Sequence, residues 1–107
     1  MQEKIKRVYV PMTETAFYIL FALQEERHGY DITQRTKAIT GGQVIISPGT
    51  MYGTLSKMEK DGLIVLVKEE DKRKFYRMTD VGREVLDTEL ARIERLYRNS
   101  KGESYGN

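Results

Sequence analysis

Apolar positions along the chain fall into short runs whose spacing changes from one run to the next. Residues 16 to 23, AFYILFAL, are apolar on nearly every side of a helix, and such a helix lies centrally in a fold. Thr13 stands where an N-cap belongs and Glu14 follows in the first turn, so a helix is predicted from near Thr13 that ends before Gly29. A shorter amphipathic helix is predicted from about Tyr30 to Thr40, with Ile32, Thr36 and Ile39 on one face and Gly41 and Gly42 as its stop. The segment QVII, residues 43 to 46, reads as a brief extended strand. Ser47 as N-cap and Pro48 at the first helical position, where its missing N–H is not needed, open a third helix with Met51, Leu55 and Met58 inward and Gly62 as its stop. LIVLVK and KFYRM, joined by the charged segment EEDKR, read as a hairpin. Thr79 then caps a long last helix reaching about Arg98.

Helix, helix, short strand, helix, hairpin, helix is the order of a winged helix-turn-helix. The expected fold is therefore mainly α with a small β-hairpin. Residues 1–78 form the winged helix-turn-helix domain, 79–98 a C-terminal dimerisation helix packed on the same domain, and 99–107 a disordered tail too poor in apolar surface to offset the entropy of ordering it. No repeat or internal linker interrupts the chain.

The third helix carries a puzzle. With Met51, Leu55 and Met58 inward, its outer side and flanks hold Gly49, Thr50, Gly53, Ser56 and Lys57, although a glycine inside a helix costs about 1 kcal/mol relative to alanine. A nearly bare outer face brings the backbone close to another rigid surface, and a helix N-terminus offers free N–H groups and a positive dipole to a phosphate. The expected DNA-binding set on this element is Ser47, Pro48, Gly49, Thr50, Tyr52, Gly53, Ser56 and Lys57, with hydroxyls for base edges or phosphates and a lysine for a guanine or the backbone. Tight packing of Gly53 against another helix would explain that glycine equally well.

The hairpin supplies the second half of the surface. Its acids, Glu69, Glu70 and Asp71, come early, and Lys72, Arg73, Lys74 and Arg77 follow from the tip down the return strand, with Lys68 ahead of them. Lys72, Arg73 and Lys74 are candidates to displace counterions from a sugar-phosphate backbone. Of the neighbours Phe75 and Tyr76, one is expected to pack inward and the other to offer its surface to a phosphate; Tyr76, with its hydroxyl, is assigned to the DNA-binding set. Lys4, Lys6 and Arg7 are further candidates for backbone contacts, Tyr30 for the core or a phosphate, and His28 for a hydrogen-bonded turn at a helix junction.

In the last helix Leu86, Leu90, Ile93 and Tyr97 recur at spacings of a helical face, with Val81, Val85 and Leu96 flanking and charges elsewhere round the cylinder. Leu86, Leu90, Ile93, Leu96 and Tyr97 are the expected homodimer interface. Folding of the stripe onto the chain's own first helix is the competing explanation. The small size of a 107-residue domain and the use of dimers to meet half-sites about 34–36 Å apart favour the dimer.

Composition narrows the function classes. The chain has no cysteine and one histidine, so no thiolate metal site and no disulfide framework are expected, and neither metal nor cofactor is assigned. No nucleophile triad, phosphate loop or isolated carboxylate pair emerges from the spacing, so an enzyme is not expected. The formal net charge is only +2, which suits a soluble cytoplasmic protein and leaves the case for a polyanion to local charge. The run AFYILFAL is too short to span a bilayer and is not followed by a small-residue cleavage site, so no membrane partner is expected.

Three segments in order, HGYDI at 28–32, SPGTMYGTLSKMEKDGLI at 47–64 and RKFYRMTDVGREVL at 73–86, resemble the PadR family of transcriptional regulators. The resemblance spans most of Thr13 to Leu86, and the short C-terminal region is similar to the compact branch of that family. It implies a bacterial DNA-binding regulator, usually a repressor, paired through a C-terminal helix, and it treats His28 as structural. Some members release DNA on binding phenolic acids or planar drug-like compounds. The tryptophan-lined pocket of one multidrug-binding branch has no counterpart in a chain without tryptophan. The expected function is a sequence-specific regulator, a repressor of a nearby transporter or detoxification operon relieved by a small hydrophobic or aromatic effector, with double-stranded operator DNA, a second copy of itself and that effector as partners. The alternatives are a winged-helix protein-interaction module and a non-specific architectural DNA-binding protein.

Overall fold

The computed structural model describes residues 1–106. The described residues form five helices and a small antiparallel sheet: α1 Glu3–Tyr9, α2 Glu14–Ala22, β1 Arg27–His28, α3 Gly29–Ile39, α4 Pro48–Lys60, β2 Ile64–Glu70, β3 Arg73–Met78 and α5 Asp80–Ser100. It is a mainly helical winged helix whose sheet has the order β1-β3-β2.

The expected caps form. The Thr13 side chain accepts from Ala16 N, Ser47 from Thr50 N and Thr79 from Gly82 N, each satisfying an N–H left free by the start of a helix. Met51, Leu55 and Met58 are buried. They join Ile19, Leu20 and Leu23 around α2, Ile32 of α3, Leu63 and Ile64 at the entry to the wing, and Val85 and Leu86 of α5 in one core. No described helix is long and apolar enough to cross a membrane, and the described residues hold no group of three or more His, Cys, Asp or Glu suited to a metal ion.

Several elements depart from the sequence pattern. The short strand is Arg27–His28, not residues 43–46. Arg27 pairs with Tyr76 and His28 with Phe75, and Met78 N donates to Leu23 O at 2.7 Å. This pairing with β3 ends α2 at Ala22, well before Gly29, and the Ala22 carbonyl is satisfied instead by Arg27 Nε at 2.9 Å. Residues 43–46 keep the alternation of a strand, with Val44 and Ile46 buried and Ile45 exposed, but lie in no ladder. On α3, Ile32 and Thr36 are buried as expected, whereas Ile39 is 62% exposed because it sits at the last turn, beyond the reach of the core.

An N-terminal helix, α1, was not legible as an element. It is largely polar and is held through Tyr9, which is buried, and Ile5, which packs against the core. α5 runs to Ser100, so Asn99 and Ser100 belong to the helix and not to a tail. Beyond it, Glu103 N donates to Arg98 O at 3.1 Å and Asn99 Nδ2 to Glu103 O at 2.8 Å, which folds the start of the expected disordered tail back on the helix end. The last residue of that tail, Asn107, lies outside the described residues.

Gly82 is a packing requirement that the pattern concealed. A Cβ at this position would collide with the Leu63 carbonyl oxygen and lie 2.7 Å from Met78 Cγ. The close approach seats the start of α5 against the junction of α4 and the wing, where Thr79 N donates to Leu63 O at 3.0 Å and Thr79 Oγ1 to Gly62 O at 2.6 Å.

Candidate nucleic-acid interface

Glycine has no side chain to shield its backbone, so what surrounds Gly49 and Gly53 decides their meaning. Apart from the neighbouring backbone of α4 itself, no described atom lies within 4 Å of a Cβ built on either. Tight packing of Gly53 against another helix is thereby ruled out, and the outer face of α4 is bare. Ser47, Pro48, Gly49, Thr50, Tyr52, Gly53, Ser56 and Lys57 are all exposed. Not all are free. Ser47 Oγ accepts from Thr50 N at 3.3 Å and donates to Thr50 Oγ1 at 3.1 Å, so this pair first closes the helix start. Lys57 Nζ lies 3.0 Å from Asp61 Oδ2 and 4.7 Å from the centre of the Tyr9 ring.

The wing follows from a two-residue turn. Glu70 pairs with Arg73, and Asp71 and Lys72 between them have φ of 51° and 64°. Such a turn matches the twist of the strands but demands left-handed backbone, which glycine or asparagine adopts more readily than lysine. It places Lys72 at the outermost point of the wing, with Arg73 and Lys74 exposed behind it. Lys68 is engaged, at 3.4 Å from both Glu26 and Glu70. These partners hold its ammonium above the usual lysine range, Glu26 first.

Tyr76 departs from its expected place on the open wing surface. It is 7% exposed and belongs to the core, while Phe75 is the half-buried neighbour, because the β1 pairing turns Tyr76 toward the helices. Burial pushes its phenol up from the ordinary range. It forms part of a cleft of about 340 Å³ between the wing and the α3–α4 unit, together with His28, Tyr30, Tyr52, Lys72 and Arg73 among others. Tyr30 is 61% and Tyr52 62% exposed, so neither anchors the core. His28 caps α3 through Nδ1, which accepts from Asp31 N at 3.2 Å, as the turn reading expected.

The candidate dimer residues divide. Leu86 is fully buried within its own domain and is therefore not open to a mate, whereas Leu90, Ile93, Leu96 and Tyr97 remain exposed on α5. The competing explanation, that the stripe folds onto the chain's own helices, holds for its first turns: Val85 and Leu86 are spent on the core beside α2. Beyond Glu89, which is buried and held by Arg92 at 2.8 Å through both carboxylate oxygens, the apolar stripe continues without a covering element among the described residues.

The sequence profile of the Transcriptional regulator PadR-like family matches residues 19–88. A transcriptional regulator of Mycobacterium tuberculosis, Rv3488, is 36% identical over 84 residues, which is 76% of this chain and 76% of the relative. The Escherichia coli transcriptional regulator YqjI is 26% identical over 83 residues, 78% of this chain but only 40% of its own length. Among solved structures, a transcriptional regulator from Clostridium thermocellum superposes with a TM-score of 0.71 at 23% identity, covering 95% of this chain and 96% of that one. Bacillus subtilis PadR in complex with operator DNA gives a TM-score of 0.65 at 28% identity, over 73% of this chain and 47% of that one.

Proposed function

The chain belongs to the PadR-like family of transcriptional regulators, and from this premise we propose that it is a homodimeric, sequence-specific DNA-binding repressor. The observation that carries the reading is the pairing of a side-chain-free helix face, at Gly49 and Gly53, with a wing whose tip is Lys72, Arg73 and Lys74. α4 enters a major groove, where Thr50, Tyr52, Ser56 and Lys57 meet base edges and phosphates, and the wing tip lies along the adjoining backbone. Bacillus subtilis PadR, whose structure contains operator DNA, supports double-stranded DNA as the partner.

Pairing through α5 brings two such surfaces to successive half-sites, about 34–36 Å apart. The exposed Leu90, Ile93, Leu96 and Tyr97 support it. Relief by a small hydrophobic effector is supported by an apolar recess of about 420 Å³ bounded by Val8, Met12 and Ala16 on one side and Gly53 and Thr54 of α4 on the other. Its size suits a small ligand, and an occupant there would touch the helix that faces DNA.

Footprinting on the DNA upstream of the protein's own coding region, followed by anisotropy titrations across a salt series, tests the reading. The expected result is a two-fold symmetric footprint, a preference of ~10³ or more over unrelated duplex and an affinity that falls steeply with salt. Equal affinity for all duplexes indicates an architectural protein. Salt-insensitive capture of a protein with no DNA binding indicates an interaction module.

A further inference from the structure

The mouth of the cleft between wing and helices contains two hydrogen-bond donors that face each other. Nδ1 of His28 accepts from Asp31 N, so in the neutral imidazole the proton sits on Nε2. That nitrogen lies 3.5 Å from Arg73 Nη1, which is also a donor. Two donors do not bond each other; an acceptor placed between them satisfies both. Phe75 fixes the imidazole edge-on at 5.0 Å between ring centres, and the Arg73 guanidinium lies 5.9 Å from the Tyr30 ring centre.

The surroundings suit an anion that is large and partly flat-walled. Tyr30 and Tyr52 project exposed rings into the cleft, and Lys72 and Lys74 stand on its rim. Gly29 lets α4 approach: a Cβ there would lie 3.2 Å from Met51 Cγ and 3.4 Å from Tyr52 Cε1. Tyr76 on the floor is more than nine-tenths buried, and its hydroxyl takes no hydrogen bond from or to the described residues. Among the described residues no fully buried side-chain polar atom lacks a partner, so this hydroxyl retains some exposure. The one acid lining it, Glu69, is opposed across the ladder by Lys74.

We propose that this cleft seats one phosphodiester of a bound duplex, a non-bridging oxygen accepting from both His28 Nε2–H and the Arg73 guanidinium. The inference rests on the reading that the chain binds duplex DNA. It adds to the recognition surface a histidine that the sequence assigns only to a hydrogen-bonded turn, and it gives Tyr30 and Tyr52 hydroxyls the same backbone segment to contact. With α4 in a major groove and the wing along the adjoining backbone, as proposed, the intervening DNA strand would pass through this space.

His28 is the only histidine, so one imidazole dominates a long-range proton–nitrogen spectrum. Titrating the full chain with a random-sequence duplex at low salt is expected to shift the Nε2–H resonance and slow its exchange, while Nδ1 stays an acceptor. His28→Asn keeps an N-cap acceptor and removes the distal donor; a loss of about 10-fold in affinity is expected. Arg73→Gln is expected to weaken binding and to lower the salt slope by ~0.9, and the double variant to lose less than the product of the two losses, because both act on one oxygen. An imidazole unmoved by a duplex that does bind, or fully additive losses, overturns the phosphate seat and leaves the DNA-binding reading intact. Failure of the unmodified chain to bind any duplex overturns both.

Discussion

The Tyr9 hydroxyl donates a hydrogen bond of 2.7 Å to Asp61 Oδ2 across a separation of 52 residues, and the same carboxylate oxygen holds the Lys57 ammonium at 3.0 Å. The bond ties α1 to the end of α4. Burial first, and then this bond, push the Tyr9 phenol above its ordinary range. The bond from Tyr9, and next Lys57, hold the Asp61 carboxyl below the usual carboxylate range.

The sign of the pH dependence follows. Asp61 binds its proton more weakly folded than unfolded, so its contribution is complete above the ordinary carboxylate value of about 4 and fades as pH falls below it. Tyr9 binds its proton more tightly folded, so its contribution is complete below the ordinary phenol value of about 10 and fades above it. Tyr9→Phe is expected to cost about 1 kcal/mol at neutral pH and to flatten the alkaline side of the stability profile. Tyr76, also raised by burial, keeps part of that slope. Urea denaturation at a series of pH values measures both.

On the proposed reading, Lys57, which is held by Asp61 in the free protein, is the side chain that DNA would have to recruit. Asp61→Asn removes the competing charge and is expected to tighten binding to every duplex while steepening the salt slope by up to ~0.9. Lys57→Ala is expected to weaken it and, where the lysine reads a base, to relax preference at one position by ~1–3 kcal/mol. Anisotropy titrations at three salt concentrations separate the two effects, and an Asp61→Asn protein that binds less well would contradict the competition.

Two glycines of similar appearance are expected to respond oppositely. At Gly53 a Cβ meets open space and Gly53→Leu gains helix propensity of up to about 1 kcal/mol, so the melting temperature is expected to hold or rise while DNA binding is lost. Gly82→Ala drives a methyl into the Leu63 carbonyl, an overpacking cost of about 1–3 kcal/mol. Calorimetry and a binding assay on the pair decide it; full binding by Gly53→Leu would remove the argument for a bare face.

Lys72 offers a way to separate shape from charge in the wing. Its φ of 64° carries a left-handed penalty of roughly 1–2 kcal/mol for a side-chain-bearing residue. Lys72→Gly is expected to steady the hairpin by a part of that amount and yet to weaken all duplexes alike, with a shallower salt slope. Backbone amide exchange in β2 and β3 reports the first effect, and loss of hairpin protection would refute it.

For the proposed dimer, burial predicts which leucine does what. Leu86→Ala removes a fully buried side chain and is expected to cost about 2–5 kcal/mol. Leu90→Glu leaves the folded domain intact and, in light scattering, is expected to give the mass of a single chain. An unchanged larger mass would move the interface off this stripe.

The local signals in the sequence were sufficient for the parts of the molecule whose conformation is set within a few residues: the caps at Thr13, Ser47 and Thr79, the inward triplet Met51, Leu55 and Met58, the hairpin and its basic tip. A cap or a helical stripe is a short-range arrangement, so its spacing is written along the chain. Partners far apart in sequence decided the rest. Pairing of Arg27 and His28 with β3 cut α2 short and left residues 43–46 unpaired, Tyr9 found Asp61 and so anchored the polar α1 to the end of α4, and the same β3 pairing turned Tyr76 inward and brought His28 against Arg73. Leu86 and Leu90 read alike on a helical wheel, and only the position of α2 buries one and exposes the other. The free energy of such long-range contacts depends on where the chain returns in space, which no local pattern of apolar and polar residues encodes.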